Sequence, residues 1–278
     1  MKKVLSIILA LVMTFSVVTL FAACSKDNAG DASTAESDLA YVQDKGKLVI
    51  GMTLFAPMDY YADENESELV GFEVEFGKAV CEKLGVEAEF QVISWEAKES
   101  ELNAKNIDCI WNGLTITPER QETMSISKPY MANKQVLITK SENVDKYKTA
   151  GSLEGLTVVA EKESAGEEVV TTDEFFKGCN YTAVDSMAKA MMEVKSGTAD
   201  AAVIDYVTGI GSLGEGTDYE NISIVENASF ADEQYGIAFR KDSDITAKVN
   251  EIIDELIKDG TLKKIAEKYK LGEQLIVE

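Results

Sequence analysis

The sequence predicts an α/β protein built as two lobes of similar plan, each a mixed, mostly parallel sheet flanked by helices, with a cleft between them. Three observations predict it. Short apolar strands alternate with amphipathic helices, the pattern of parallel sheets covered on both faces. One segment, a helix followed by NAKNIDCIWNG, is echoed by a helix followed by VKSGTADAAVID: helix, polar turn, Asp, apolar strand, polar exit. The chain has 278 residues, room for one large domain or two of ordinary size, and at 45% hydrophobic and 27% charged it has enough apolar material for a real core.

In chain order, KLVIGM (Lys47–Met52) is the first strand. GFEVEFGKAVCEKLG (71–85) places Phe72, Phe76, Ala79, Val80 and Leu84 at helical spacing, with Gly85 as the stop. AEFQVIS is a strand, ESELNAKN a short helix and IDCIWNG a strand again. PERQETM opens a helical turn with Pro118 first, where its missing N–H costs nothing. QVLITK (135–140) is extended. The second round has TVVAE as a strand, a helix over 165–176 introduced by Ser164, and NYTAVD as a strand. SMAKAMMEVKSG follows as a helix capped by Ser186 and ended by Gly197, then ADAAVID, ISIVE and QYGIAFR as strands. The tail helix sets Ile245, Val249, Ile252, Ile253, Leu256 and Ile257 on one face, capped by Ser243 or Asp244 and stopped at Gly260, and TLKKIAEKY closes the chain. Segments 135–140 and 234–240 are the natural crossings between lobes. The expected division is 45–137 plus 236–278 for lobe 1 and 138–235 for lobe 2.

At the amino end, Lys2-Lys3 precedes an almost wholly apolar run from Val4 to Ala23, and Cys24 follows. This reads as a signal peptide over 1–23. It resembles a bacterial lipoprotein signal, in which the cysteine left first by cleavage, here Cys24, is lipidated; Phe21 stands where Leu is usual. An uncleaved anchor is the alternative, since about 20 apolar residues can span a bilayer. The Ala-Ala-Cys end and the polar stretch SKDNAGDASTAESD favour a cleaved signal and a flexible tether over 24–44, holding the body to the outer face of the cytoplasmic membrane.

Charge excludes more than it assigns. Losing Lys2 and Lys3 leaves 25 basic residues against 49 acids, a net of −24, and a body that acidic has no footprint for a nucleic acid backbone. With no His and no CxxC, zinc-finger spacing and Ser-His-Asp or Cys-His catalysis are absent, so neither a metal nor a cofactor is expected. Cys81, Cys109 and Cys179 read as small buried hydrophobes rather than as a Cys81–Cys109 bridge with one thiol left over. GIGSLG (209–214) fits G-x-G-x-x-G, but four residues separate it from the strand before, and it reads as a flexible loop. No apolar patch suggests a dimer surface, so a monomer is expected.

Three strand exits carry unusual polarity. IDCIWNG runs into Asn112, Gly113 and Thr115, with Arg120 close behind. Of 27 basic residues only Arg120 and Arg240 are Arg, whose planar fork suits a carboxylate. TVVAE exits into Ser164-Ala165, a helix start whose free N–H groups attract an anion. ADAAVID ends on Asp205, an isolated anion. A cationic fork, a helix start and an anion together suit a carboxylate and an ammonium on neighbouring atoms, that is, an α-amino acid. Phe55, Tyr60, Trp95 and Trp111 are candidate walls, with Phe55 the first choice.

GFEVEFGKAVCEKLG, NIDCIWNGLTITPERQETMSISKPY, VKSGTADAAVID and QYGIAFRKDSD resemble the amino-acid class of bacterial solute-binding proteins, family 3, the extracytoplasmic receptors of ABC importers, over residues 47–270. The resemblance implies a two-lobed, periplasmic-binding-protein-like (type II) fold and a permease partner. It implies that Arg120 grips the ligand carboxylate, helped by N–H groups of Thr115 and of Ser164 or Ala165. Asp205, the Gly113 carbonyl and the Thr115 hydroxyl would take the ammonium, Phe55 would stack on the ligand and Asn112 would touch it. Two departures stand out: Glu163 replaces the usual Gly, and Glu161 puts an acid where an uncharged or basic residue is common, hinting at a polar or cationic ligand side chain. Thr53, where binders of basic amino acids often have Asp, points the other way. Rival expectations are a dehydratase on the same fold, with Glu161 or Glu163 as general acid, and a sensor domain, which would continue into a membrane helix.

Overall fold

The computed structural model describes residues 37–63 and 65–277; the expected signal peptide and Cys24 lie outside the described residues. Helix α1 (Asp38–Lys45) leads into β1 (Lys47–Met52), the hairpin β2 (Tyr60–Tyr61) and β3 (Leu69–Val70), α2 (Phe72–Leu84) and β4 (Glu87–Val92). Next come α3 (Lys98–Asn103), β5 (Cys109–Thr115), α4 (Pro118–Thr123), β6 (Met124–Ile126) and the long β7 (Met131–Lys140). The second round is β8 (Thr157–Glu161), α5 (Ala165–Thr172), β9 (Asn180–Val184), α6 (Met187–Ser196), β10 (Ala201–Asp205) and α7 (Tyr206–Ser212). β11 (Ile222–Arg240) returns the chain, and α8 (Ile245–Lys258) and α9 (Thr261–Lys268) close it.

The strands follow the order β4-β1-β5-β11-β7-β10-β8-β9, with β6 on β11. β1 pairs in parallel with β4 and β5 at one end, and β8 with β9 and β10 at the other. Only β7 and β11 run against this grain, antiparallel to each other and to β10 and β5. Every residue of β5 and of β10 is buried, as unbroken apolar runs covered on both faces should be. The apolar clusters divide at the same crossing strands. Ile50, Phe76, Trp111, Ile237, Ile252 and Leu256 pack together on one side, and Leu137, Val158, Phe176 and Val203 on the other. Val207 of α7 reaches back into the first cluster.

Four local expectations need correcting. The carboxyl end of the stretch expected as tether, 24–44, is instead helix α1, which Ser37 caps and whose Val42 is buried in the core at 1% exposure. Arg240 holds this helix: Nε donates to both Asp38 oxygens at 3.1 Å, Nη2 to Oδ1 at 2.8 Å, and Nη1 to the Leu102 and Ile107 carbonyls. Asp38→Ala is therefore expected to lower stability by about 2 kcal/mol, the scale of a charged hydrogen-bonded pair, seen as a lower urea midpoint. The GIGSLG segment is not a loop but largely helix α7, and an added Cβ at Gly211 would sit 2.3 Å from Pro57 Cδ, so a bare backbone is what fits there. The helix expected over 165–176 stops at Thr172, where Asp173 accepts the Phe175 N–H and opens a separate short turn. ISIVE and QYGIAFR are two ends of one bulged strand, β11. Cys81 and Cys109 are buried free thiols, and burial pushes the Cys81 thiol up to about 12.

Candidate ligand-binding site

The carboxyl ends of β5, β8 and β10 meet around a cavity of about 290 Å³, part of it open to solvent. Asn112, Gly113, Thr115 and Arg120 line it from one side, and Glu161, Ser164, Ala165 and Asp205 from the other. Trp95 and Met187 complete the wall.

The positive end is built by α4 and α5. Thr117 accepts the Arg120 N–H and Pro118 starts the turn, so the guanidinium is carried on a fixed helical turn. Arg120 Nη1 donates to the Thr115 carbonyl at 2.8 Å, and the side chain makes no ion pair among the described residues. Burial lowers its pKa, opposed chiefly by the Glu233 carboxylate. Lys98 lies nearby, buried, its Nζ 4.8 Å from the Trp95 ring centroid and 3.8 Å from Glu163 Oε2. Across the cavity, Ser164 caps α5 by accepting the Glu167 N–H at 3.2 Å. That leaves the Ala165 and Gly166 N–H groups free of protein acceptors among the described residues, a helix start facing a cationic fork. Glu163 takes φ +57°, the left-handed region glycine prefers.

The negative end is more crowded. Asp205 is buried, and Gln135 Nε2 donates to its Oδ1; burial raises its pKa. Glu161 is 2% exposed, and its Oε1 has no hydrogen-bond partner. Burial, then the charge of Asp205, pushes Glu161 up to about 8, with Lys98 opposing. Glu233 accepts the Thr115 hydroxyl at 2.9 Å and is pushed to about 7 by burial and Asp205. Gly113 has φ +56°, and its N–H donates to both Glu73 oxygens, at 3.0 and 3.2 Å. A Cβ there would stand 3.0 Å from the Phe55 ring, so glycine alone fits this bend of the strand.

The expected aromatic walls are placed differently from the sequence-based order. Phe55 is core, 2% exposed behind Gly113, and does not line the cavity. Trp111 is buried edge-on against Phe76, with centroids 4.8 Å apart, and Tyr60 sits in the small β2–β3 hairpin. Trp95 is the aromatic the cavity has, because the turn before α3 faces the opening whereas the β5 side chain points into the core. Asn112 reaches the cavity, yet its amide is fully engaged: Oδ1 accepts Thr53 N–H and Oγ1, and Nδ2 donates to the Thr53 carbonyl and Asp59. It braces the ends of β1 and β5. Sequence reasoning missed Lys98, Met187, Gln135 and Glu233. A lone Lys in a short helix, or a Glu in a strand of a chain with 49 acids, carries no local signal.

Two α/β lobes meeting over a small, charge-lined cavity, with no His and no cysteine in its lining, define a clamp for a polar solute. Residues 48–273 match the profile of the bacterial extracellular solute-binding proteins, family 3, and the chain belongs to that family. It is similar to the arginine-binding extracellular protein ArtP of Bacillus subtilis, 29% identical over 277 residues, spanning 99% of this chain and 100% of that one. The L-cystine-binding protein TcyJ of Escherichia coli K12 is 29% identical over 236 residues, 84% of this chain and 86% of its own. An amino acid ABC transporter substrate-binding protein from Streptococcus pneumoniae, solved bound to L-arginine, superposes with a TM-score of 0.76 at 25% identity over 84% of this chain and 98% of that one. These relatives are binding proteins. No helix among the described residues is long and apolar enough to cross a membrane.

Proposed function

We propose that this chain captures an α-amino acid with a cationic side chain by lobe closure and hands it, unchanged, to the permease of an ABC importer. The observation that carries the reading is the charge balance of the cavity. Among the described residues that line it, two acids, Glu161 and Asp205, face one cation, Arg120, and the Glu161 Oε1 is unpartnered. A zwitterion with a neutral side chain leaves one buried acid without a counter-charge, whereas one extra cation balances it. In this reading Arg120 and the Ala165 and Gly166 N–H groups take the carboxylate. Asp205, the Thr115 hydroxyl and the Gly113 carbonyl take the α-ammonium, and Glu161, near Trp95 and Met187, takes the side-chain cation. Thr53 is tied to Asn112, which leaves the side chain to Glu161.

Closure is the second half of the function. Lobe 1 is taken as 45–137 with 236–278 and lobe 2 as 138–235, hinged at β7 and β11. Contacts across the cleft support a closed arrangement: Lys162 Nζ lies 2.6 Å from Glu96 Oε1, and Ser212 Oγ donates to the Ala56 carbonyl at 3.1 Å. The ligand carboxylate and α-ammonium each take partners from both lobes, so a ligand carrying both groups rewards closing. Lipidation at Cys24 would hold the monomeric receptor beside its permease. The test is a thermal-shift screen of residues 25–278 against the twenty amino acids, ornithine and cystine. A ligand specific to the folded state adds about 2.7 kcal/mol of stability at a hundred times its Kd. Shifts confined to arginine, lysine and ornithine are expected; a shift with cystine or a neutral amino acid alone would overturn the charge argument.

A further inference from the structure

Between the two halves of the site runs a chain of polar groups that neither touches solvent freely nor belongs to a lobe core. Thr115 Oγ1, on the lobe-1 wall, donates to Glu233 Oε2 at 2.9 Å. Glu233 Oε1 accepts from Gln135 Nε2 at 2.7 Å and from Asn133 Nδ2. The same Gln135 amide donates to Asp205, on the lobe-2 wall, and Asn133 Oδ1 accepts the Val207 N–H at 3.2 Å, at the start of α7. Asn133 and Gln135 sit on β7 and Glu233 on β11, the strands that cross between lobes.

The backbone is shaped to bring this about. β11 loses register with β7 between Phe230 and Asp232, and Ala231 takes φ +43°. Before this bulge the inward positions are Ala228 and Phe230; after it they are Glu233 and Tyr235, while Asp232 and Gln234 face out. One extra residue thus turns a carboxylate into the crossing and places it opposite Asn133. Such a bulge re-aims a side chain at the cost of ladder hydrogen bonds, and here the re-aimed group is a half-buried acid.

From this geometry we infer that Glu233, with Gln135 and Asn133, is a positioning unit that couples the lobe-1 and lobe-2 halves of the site, so that engagement of one half favours closure of the other. This inference rests on the amino-acid-capture reading above. Glu233 accepts from Thr115, Gln135 and Asn133 at once, and only a carboxylate offers enough lone pairs to satisfy all three. Closure brings Asp205 to the ammonium only if Gln135 holds the carboxylate toward Thr115. In this reading, opening of the hinge strands would move β10 away from β5 and lengthen this polar link. Glu233 is not placed against the ligand; it acts through Thr115 and Gln135.

Two variants test it. Glu233→Gln keeps size and shape but turns one acceptor into a donor facing a donor; Gln135→Met removes the bridge while leaving the Thr115–Glu233 bond. Each is titrated calorimetrically with L-arginine and L-lysine, and X-ray scattering reads the ligand-induced decrease in radius of gyration at saturation. The coupling predicts affinities lower by on the order of tenfold and a smaller compaction at saturation, in variants whose circular dichroism remains native. A purely structural role would lower the melting midpoint without changing compaction. Affinities within twofold of the parent with full compaction, in either folded variant, would overturn the relay and leave amino-acid capture standing. A parent protein that binds neither ligand would instead overturn both.

Discussion

Arg120→Ala is expected to abolish capture while the protein still folds cooperatively. The guanidinium is half-buried at the cavity, and among the described residues its one hydrogen bond from the side chain goes to the Thr115 carbonyl. Removing it therefore costs the fold about 1 kcal/mol. The local turn survives, since the Thr117 hydroxyl accepts the backbone N–H of residue 120 and Pro118 starts the helix, neither of which Ala disturbs. The ligand loses far more, because its carboxylate would be buried against α5 with no opposing charge. Stranding one partner of a buried charge pair costs about 3–5 kcal/mol, or a hundredfold to more than a thousandfold in Kd. Arg120→Lys should fall between, keeping the charge but losing the two-pronged geometry. Calorimetric titration beside thermal unfolding separates these outcomes. An unchanged affinity in a normally melting variant would remove Arg120 from the site.

Glu161→Gln should change stability and selectivity in opposite senses. The folded-state value of this carboxyl is about 8 against an ordinary 4.5, so folding disfavours its ionised form. Its contribution to stability is fully present below the ordinary value and is lost as pH rises through about 8. The ligand-free protein should therefore lose stability between pH 5 and 8, and the Gln variant should be the more stable at pH 8 by on the order of 3 kcal/mol. A cationic side chain reverses the balance by favouring the carboxylate. Affinity for arginine or lysine should thus rise with pH across the same window, releasing a proton on binding. The variant should lose roughly tenfold or more for these ligands and keep only the shallower pH dependence that Glu233 contributes near 7. Chemical denaturation and titration at pH 6 and pH 8 check both signs.

How far this site could be read from the chain follows from what is local. An apolar run that breaks into Asn-Gly or into Asp announces a strand exit by itself, and Gly113, Thr115, Arg120, Glu161, Ser164, Ala165 and Asp205 all line the cavity. Choosing among aromatics is not local. Phe55 and Trp111 look as able to form a wall as Trp95, but Phe55 is sealed behind Gly113 and Trp111 points from β5 into the Phe76 cluster. The inward turn of Glu233 depends on a one-residue bulge, which inverts the alternation that a strand pattern assumes. Helix α1 was hidden for another reason: its apolar spacing is short, and its anchor, Arg240, lies 202 residues away. Composition had merged it with the polar stretch before it. Gly211 of α7 misled in the same manner, since its role is close approach to Pro57, a contact between distant segments.

The central claim is that the cleft takes an α-amino acid through its carboxylate and ammonium and adds a cation-reading subsite at Glu161. Titrating residues 25–278 with L-arginine and, separately, with agmatine, the same side chain without the carboxylate, tests it most directly. The account predicts saturable one-to-one binding of L-arginine and a loss of at least a hundredfold for agmatine, the contact at Arg120 being gone. Equal affinity for the two, or no binding of any cationic amino acid by a folded protein, would contradict it.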